Sequence, residues 1–282
     1  MIIIAESGST KTNWLAEDGK LYETIGLNPL FHTSDSIYNV LVKHEQLSAL
    51  KDKFSSVFFY GASCSSDDRN KTVKDALLRF FDKASLIEVD HDMNAAAIAT
   101  YTGKPGIACI LGTGSNACFY DGKEIHQEGA PGLGYVLGDE GSGAYFGKKL
   151  LSLYLYNELP AATMAVMREQ YGLEKEIIIE NVYKKPHANI YLASFAKLMT
   201  DTPDRDFMRQ LAREGFTEFF QHHVRCYKDY KKYPVHFVGS IAYFFKEDLK
   251  AVADSFGCEL GIVDRNPVYR LLEHHLKQQA SQ

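Results

Sequence analysis

Short apolar blocks that stop at a glycine, an aspartate or a small hydroxyl residue recur along this chain. MIIIAESGSTKTNWLAEDGKLYETIG at residues 1–26 and IACILGTGSNACFYDGKEIHQEG at 107–129 share one layout. Each passes from an apolar strand through a Gly/Ser/Thr turn into a second strand, then through an Asp-Gly turn into a third. Bounded apolar runs of this length predict β-strands, and Asp18-Gly19 and Asp121-Gly122 suit tight hairpins. The echo continues further along. VFFYGAS (57–63) leads through helical periodicity to LIEVDHDMNAAAIATY (86–101), and VHFVGSI (235–241) leads the same way to LGIVDRNPVYRLLEHHL (260–276). The predicted order is βββαβα, twice. That pattern is an α/β fold of two duplicated domains, each with a sheet antiparallel at its first three strands and parallel afterwards. Two such domains would naturally face each other across a cleft.

The second copy is interrupted. Residues 142–230 read as helix after helix, including PDRDFMRQLAREGFTEFFQHHVRCYKDY (203–230), with apolar positions three and four apart. No linker rich in Pro, Gly and Ser separates the halves, and the crossover is expected near TGKPG at 102–106. The expected domains are therefore 1–104 and 105–266, the latter carrying the insertion. The final helix, within 267–282, is expected to pack back on the first domain.

Composition narrows the class. With 282 residues, 45% hydrophobic and 24% charged, the chain is long enough for two cores. A net charge of −5 and the lack of a clustered Lys/Arg stretch argue against nucleic acid and anionic membrane surfaces as partners. The opening MIIIA is too short for a signal segment, and no run approaches a membrane span, so a cytoplasmic protein is expected. Five scattered cysteines without a CxxC pair predict reduced core thiols, with no disulfide framework or zinc site. Trp14 and the Phe/Tyr-rich strands are expected in the core. His222-His223 and His274-His275 stand in polar helical stretches and are expected on solvated faces.

The two first turns have the make-up of a phosphate cradle. Glycines permit close backbone approach, while hydroxyls and amide N–H groups supply donors. SGSTKT places Gly8, Ser9, Thr10, Lys11 and Thr12 at one strand end, and GTGSN places Gly112, Thr113, Gly114 and Ser115 at the other. Lys11 adds a point charge, and Glu6 is suited to hold Mg²⁺ directly or through water. Neither GxxxxGK[ST] nor GxGxxG occurs, so the P-loop and Rossmann modes do not apply. Asp92 follows the LIEVD strand and opens a helix, where the helix N-terminus favours an anion. It competes with a role as a mere helix cap, and with Asp90 and His91. Asp90 has its repeat match in Asp264, which suggests a frame position, whereas Asp92 matches Asn266 and is specific to one half. Asp139 and Glu140 also read as ordinary first-turn acids of a helix beginning near Ser142.

ESGSTKT, LGTGSN and FVGSIA (237–242) within the duplicated plan resemble the actin, sugar kinase and heat-shock ATPase superfamily, with its ribonuclease H-like domains. GDEGSGAYFGKKLL (138–151) resembles the BadF/BadG/BcrA/BcrD ATPase family, whose sugar-acting members are N-acetylglucosamine kinases. The resemblance covers almost the whole chain. It implies ATP and Mg²⁺ as cofactors, with the two loops on the phosphates and Gly239 and Ser240 against the adenosine. It implies Asp92 as general base, Asn28 and Asp139 on sugar hydroxyls, and Asn116 at the boundary between sugar and γ-phosphate. The implied reaction is phosphorylation of an amino-sugar, N-acetylglucosamine at its 6-hydroxyl, with glucosamine kinase as an alternative. Many relatives have Asp where Glu6 stands, and some have Asp at Asn13. The family also contains ATPase activators of dehydratases, which share an iron–sulfur cluster across a dimer, and a non-catalytic sugar or nucleotide sensor is a third reading. Relatives often form dimers through the second domain.

Overall fold

The computed structural model describes residues 1–127 and 129–280. The first part of the chain forms β1 (Ile2–Ser7), β2 (Lys11–Ala16), β3 (Leu21–Ile25), α1 (Ser34–Lys43), α2 (Glu45–Leu50), β4 (Ser56–Gly61), α3 (Asp67–Phe80), β5 (Leu86–His91) and α4 (Asp92–Thr100). Next come β6 (Gly106–Leu111), β7 (Ser115–Tyr120), β8 (Ile125–His126), α5 (Gly134–Leu137), α6 (Gly143–Leu155) and α7 (Ala161–Tyr171). The insertion continues with α8 (Lys175–Tyr183), α9 (Ala188–Ser194), α10 (Leu198–Asp201), α11 (Arg205–Phe219) and a π-helical turn at Phe220–Val224. The chain closes with β9 (Val235–Val238), α12 (Ser240–Phe244), α13 (Lys246–Ser255), β10 (Leu260–Asp264) and α14 (Val268–Ala280). It divides into two compact units, one of residues 1–101 with α14, the other Thr102–Arg265.

Both units repeat one sheet. The orders are β3-β2-β1-β4-β5 and β8-β7-β6-β9-β10, each antiparallel across the first three strands and parallel afterwards. The Asp-Gly corners behave as their chemistry requires. Gly19 and Gly122 adopt φ of +84° and +100°, a region open to glycine. Asp121 Oδ1 accepts the amides of Lys123 and Glu124 at 2.7 and 2.8 Å, and these amides hold its carboxyl down at about 2. One addition lies outside the βββαβα pattern: α1 and α2 enter between β3 and β4, started by Thr33, whose side chain accepts the Ser36 amide at 3.2 Å.

β1 and β4, inside the first sheet, are buried on both faces, which is why they read as nearly unbroken apolar runs. Ile3, Ala5, Val57 and Phe59 face the cluster of Trp14, Phe80 and Phe81, with Trp14 fully buried. Ile2, Ile4, Phe58 and Tyr60 face Ala95 and Ala99 of α4 and Val268 and Leu271 of α14. The helical period that turns Val268, Leu271 and Leu272 inward also buries His275, against the expectation of a solvated histidine pair. His275 stacks on Phe58 at 3.7 Å and shares a 2.8 Å hydrogen bond with Tyr60 Oη; burial pushes its pKa down to about 4. His223 departs from the same expectation: it lies in the π-helical turn and is 4% exposed. In the second unit Ile107, Cys109, Leu111 and Phe237 pack under Phe146, Phe216, Phe219 and Phe220 of the insertion. Four cysteines are buried thiols outside any disulfide, and Cys226 is exposed. Among the described residues no helix is long and apolar enough to cross a membrane.

Candidate active site

In the first unit β1, β4 and β5 run parallel, so their carboxyl ends share one edge, with Ser7, Gly61 and His91 in register across it. The turn after β1 is closed by the Gly8 amide donating to Lys11 O at 3.0 Å. Its base is a knot of buried hydroxyls. Ser7 Oγ and Thr12 Oγ1 lie 2.8 Å apart, Ser7 Oγ accepts the Leu27 amide and Thr12 Oγ1 donates to Ile25 O, each at 3.0 Å. Thr12 is fully buried, so its hydroxyl serves the turn and not a ligand. Gly26 braces the turn from behind; its amide donates to Thr10 O, and a Cβ there would collide with the carbonyl oxygens of Gly8 and Ser9. Lys11 points along the sheet to Glu23 at 2.9 Å, an exposed ion pair.

Acid chemistry gathers beside this turn. Glu6 is in register with Asn13, whose Nδ2 lies 3.5 Å from its carboxylate. Burial, reinforced by the negative charge of Asp92, pushes the Glu6 carboxyl up to about 7. Asp92 opens α4, and burial raises its pKa, opposed by His91 and by the amides of Met93 and Asp92. Its Oδ1 is buried with no hydrogen-bond partner; His91 Nε2 stands 3.1 Å away, at ion-pair distance but without hydrogen-bond geometry. The Asp92 side chain as a whole keeps 21% exposure. Asp90, its competitor, is occupied, since its Oδ1 accepts the His91 amide at 2.7 Å and Asn94 Nδ2 at 2.6 Å. Asn28 is buried and committed to the protein. Its Nδ2 donates to Ser63 Oγ at 3.1 Å, and its Oδ1 accepts the Leu30 amide at 2.9 Å. Ser63 has a φ of +66° just past β4, a strained backbone that the sequence does not announce.

In the second unit Gly112-Thr113-Gly114 joins β6 to β7, with Leu111 paired to Ser115. The loop is tethered by the segment before α6. Asp139 Oδ1 accepts the Ser115 amide at 3.2 Å, and the amides of Gly143 and Ala144 donate to Gly112 O and Thr113 O at 2.8 and 3.0 Å. Asp139 has a φ of +58°, and burial pushes its carboxyl up to about 6, against the Ser115 amide. The geometry thus joins Asp139 to the loop itself. Gly239, with φ +117°, lies so close to the loop that a Cβ would collide with Leu111 O; Ser240 follows as the first residue of α12. Asn116 Oδ1 accepts its neighbour's amide, from Ala117, at 2.9 Å. A cavity of about 380 Å³ opens near the end of α12, lined among others by Met199, Arg209, Tyr243, Phe244 and Asp248. Its wall is stiffened by Arg209 and Arg213, which both donate to the buried Asp248 at 2.8 to 3.2 Å. The cavity, Gly26 and the partner of Glu140 described below escaped the sequence reading, because each depends on a contact between distant segments. Only Gly26, one residue past a strand, carries a signal of its own.

Among solved structures the chain is similar to a candidate N-acetylglucosamine kinase from Porphyromonas gingivalis, at 36% identity over 99% of this chain and all of that one, with a TM-score of 0.89. A second candidate N-acetylglucosamine kinase, from Chromobacterium violaceum, is 18% identical over 97% and 98% of the two chains, with a TM-score of 0.66. A ROK family glucokinase from Streptomyces griseus, solved with glucose and AMPPNP, is 13% identical over 98% and 99%, with a TM-score of 0.53. The latter two likenesses speak to the fold alone. No protein-family model and no curated protein matches the chain. At 36% identity over the full length of both chains, the protein belongs to the family of the Porphyromonas gingivalis protein, within the actin-like ATPase fold.

Proposed function

We propose that the protein is an ATP-dependent sugar kinase that phosphorylates N-acetylglucosamine at its 6-hydroxyl. The observation that carries this reading is Asp92: a carboxylate with one buried oxygen that has no hydrogen-bond partner among the described residues, on the same sheet edge as the Gly8–Thr10 turn. Its raised pKa suits it to accept a proton. In the reaction the 6-hydroxyl oxygen bonds to the γ-phosphorus and its proton passes to Asp92. The bond from that phosphorus to the β,γ-bridging oxygen breaks, and ADP leaves. Phosphoryl transfer depends chiefly on alignment and charge stabilisation. The backbone of Gly8–Thr10 in the first unit and that of Gly112–Ser115 in the second are each assigned to phosphate, with Gly239 and Ser240 of the second unit against the adenosine and the adenine directed to the nearby cavity.

Asn28, Asn116 and Asp139 are assigned to the sugar side, Asn28 and Asp139 as residues that also fix their own loops. The BadF/BadG/BcrA/BcrD likeness of the 138–151 motif belongs to the same reading. A divalent ion fits the donors of the first unit. Asn13 Oδ1 is buried next to Glu6 with no hydrogen-bond partner among the described residues, and Mg²⁺ takes few carboxylates while keeping its waters. Bound by Glu6 and Asn13, the ion would neutralise phosphate charge. The test is Mg-ATP consumption against a panel of hexoses and hexosamines with a sugar-free control. Stimulation by N-acetylglucosamine is expected; turnover independent of sugar would refute the kinase reading.

A further inference from the structure

The second loop is held at one remove by a pair of side chains outside the cradle. Glu140 Oε2 lies 2.8 Å from His223 Nε2; with the carboxylate ionised, it is the Nε2–H that donates. His223 is 4% exposed and stacks on Phe219 at 4.9 Å. It reaches this position from the π-helical turn that follows α11, a local widening of the kind that re-aims side chains. Its other nitrogen, Nδ1, is buried with no hydrogen-bond partner among the described residues. Among the described residues the ring's only polar bond is therefore the one to Glu140. An apolar side chain in this phenylalanine-lined wall would avoid the cost of that buried orphan nitrogen, so packing does not explain a histidine here.

What the pair holds is the strap at 138–144. On one side the strap meets each residue of the loop: Asp139 bonds the Ser115 amide and crowds Gly114, while Gly143 and Ala144 bond the carbonyls of Gly112 and Thr113. On the other side Gly141, with φ +70°, lies against α11, where its Cβ would come within 3.2 Å of Gly215 O and the Phe216 ring. Glu140 is the side chain that fastens this second side.

We propose that Glu140 and His223 are a positioning pair that sets the conformation of the phosphate-gripping loop at Gly112–Ser115 from α11, through the strap between them. The proposal rests on the kinase reading for its kinetic consequence. Without the Nε2 donor, the Glu140 carboxylate loses its hydrogen-bond partner and the strap loses its fastening on the α11 side. A misplacement of about 1 Å costs up to about 100-fold in rate.

The experiment compares His223→Phe, which keeps the packing and removes the donor, with His223→Gln, which keeps a donor at the same reach. Two readouts are taken: steady-state kinetics with Mg-ATP and N-acetylglucosamine, and amide hydrogen exchange of the 112–115 segment. His223→Phe is expected to lower kcat by roughly 10- to 100-fold at an unchanged sugar KM and to speed exchange in that segment, with the thermal midpoint held or raised. His223→Gln is expected to restore both readouts. Glu140→Ala, from the less buried side of the pair, is expected to reproduce His223→Phe and stands in for it if that variant does not fold. Wild-type kinetics and unchanged exchange in the donor-less variants would overturn the proposal, as would a His223→Gln as impaired as His223→Phe. If the wild type consumes no ATP with any sugar, the kinase reading fails, and exchange alone decides the pair: acceleration confined to 112–115 upholds it, and none overturns it.

Discussion

The Gly8–Thr10 turn and the Gly112–Gly114 turn occupy the same place in two sheets of the same strand order, yet they are held by different chemistry. The first is tied by neighbours in sequence, the hydroxyls of Ser7 and Thr12 and the backbone at Gly26. The second is tied by the insertion, through Asp139 and the start of α6. Duplication supplied the frame twice. The insertion gave one copy a set of tethers that the other lacks, and with them a route by which α11 bears on the loop.

The acids of the two units separate the copies most sharply. Asp92 has no counterpart carboxylate at Asn266, so Asp92→Asn is expected to lower kcat by about 10²–10⁴-fold while sugar binding, followed by calorimetry, changes little. A near-normal kcat would remove the asymmetry. Glu6 comes next. Its pKa is raised from 4.5 to about 7, so the folded state prefers the protonated form. The stability this provides is complete below about 4.5 and is lost as pH rises through about 7. Glu6→Gln mimics the protonated carboxyl. It should leave the denaturation midpoint unchanged near pH 4.5 and raise stability at pH 8 by on the order of 3 kcal/mol.

Glycine substitutions probe the bracing itself. Gly26→Ala drives a methyl into the carbonyls of Gly8 and Ser9 and should cost about 1–3 kcal/mol in urea unfolding. Gly112→Ala meets open space and should stay within about 0.5 kcal/mol. Equal losses would mean that the two turns are braced alike. The smallest effect is expected at Lys11, whose exposed pair with Glu23 should contribute under about 1 kcal/mol, so Lys11→Met should scarcely move the thermal midpoint.

Strands, Asp-Gly corners, the insertion and the closing helix were legible because each rests on local rules: apolar runs, positive-φ glycines and helical period. The burial of His223 and His275 was not. A histidine in a polar stretch reads as solvated until one knows which helix face another element covers, and α14 covers the first sheet only after the chain has passed through the second unit. The candidate site divides along the same line. Both turns and Asp92 stand out in the sequence, since glycine, hydroxyl and carboxylate at a strand end are local features. That Thr12 spends its hydroxyl on Ile25, that Asn28 is spent on Ser63, and that Asp139 serves the Ser115 amide could be known only from the fold.

The sequence by itself determined the repeat, the strand-turn-strand devices and the types of residue at their tips, because these follow from backbone preference and the alternation of apolar and polar positions. Tertiary structure alone decided which buried polar atoms lack a hydrogen-bond partner among the described residues, Asp92 Oδ1, Asn13 Oδ1 and His223 Nδ1 being three of them. Partnership is a property of approach between distant segments. A buried polar atom is defined by everything that surrounds it, and no window of the chain contains that surround.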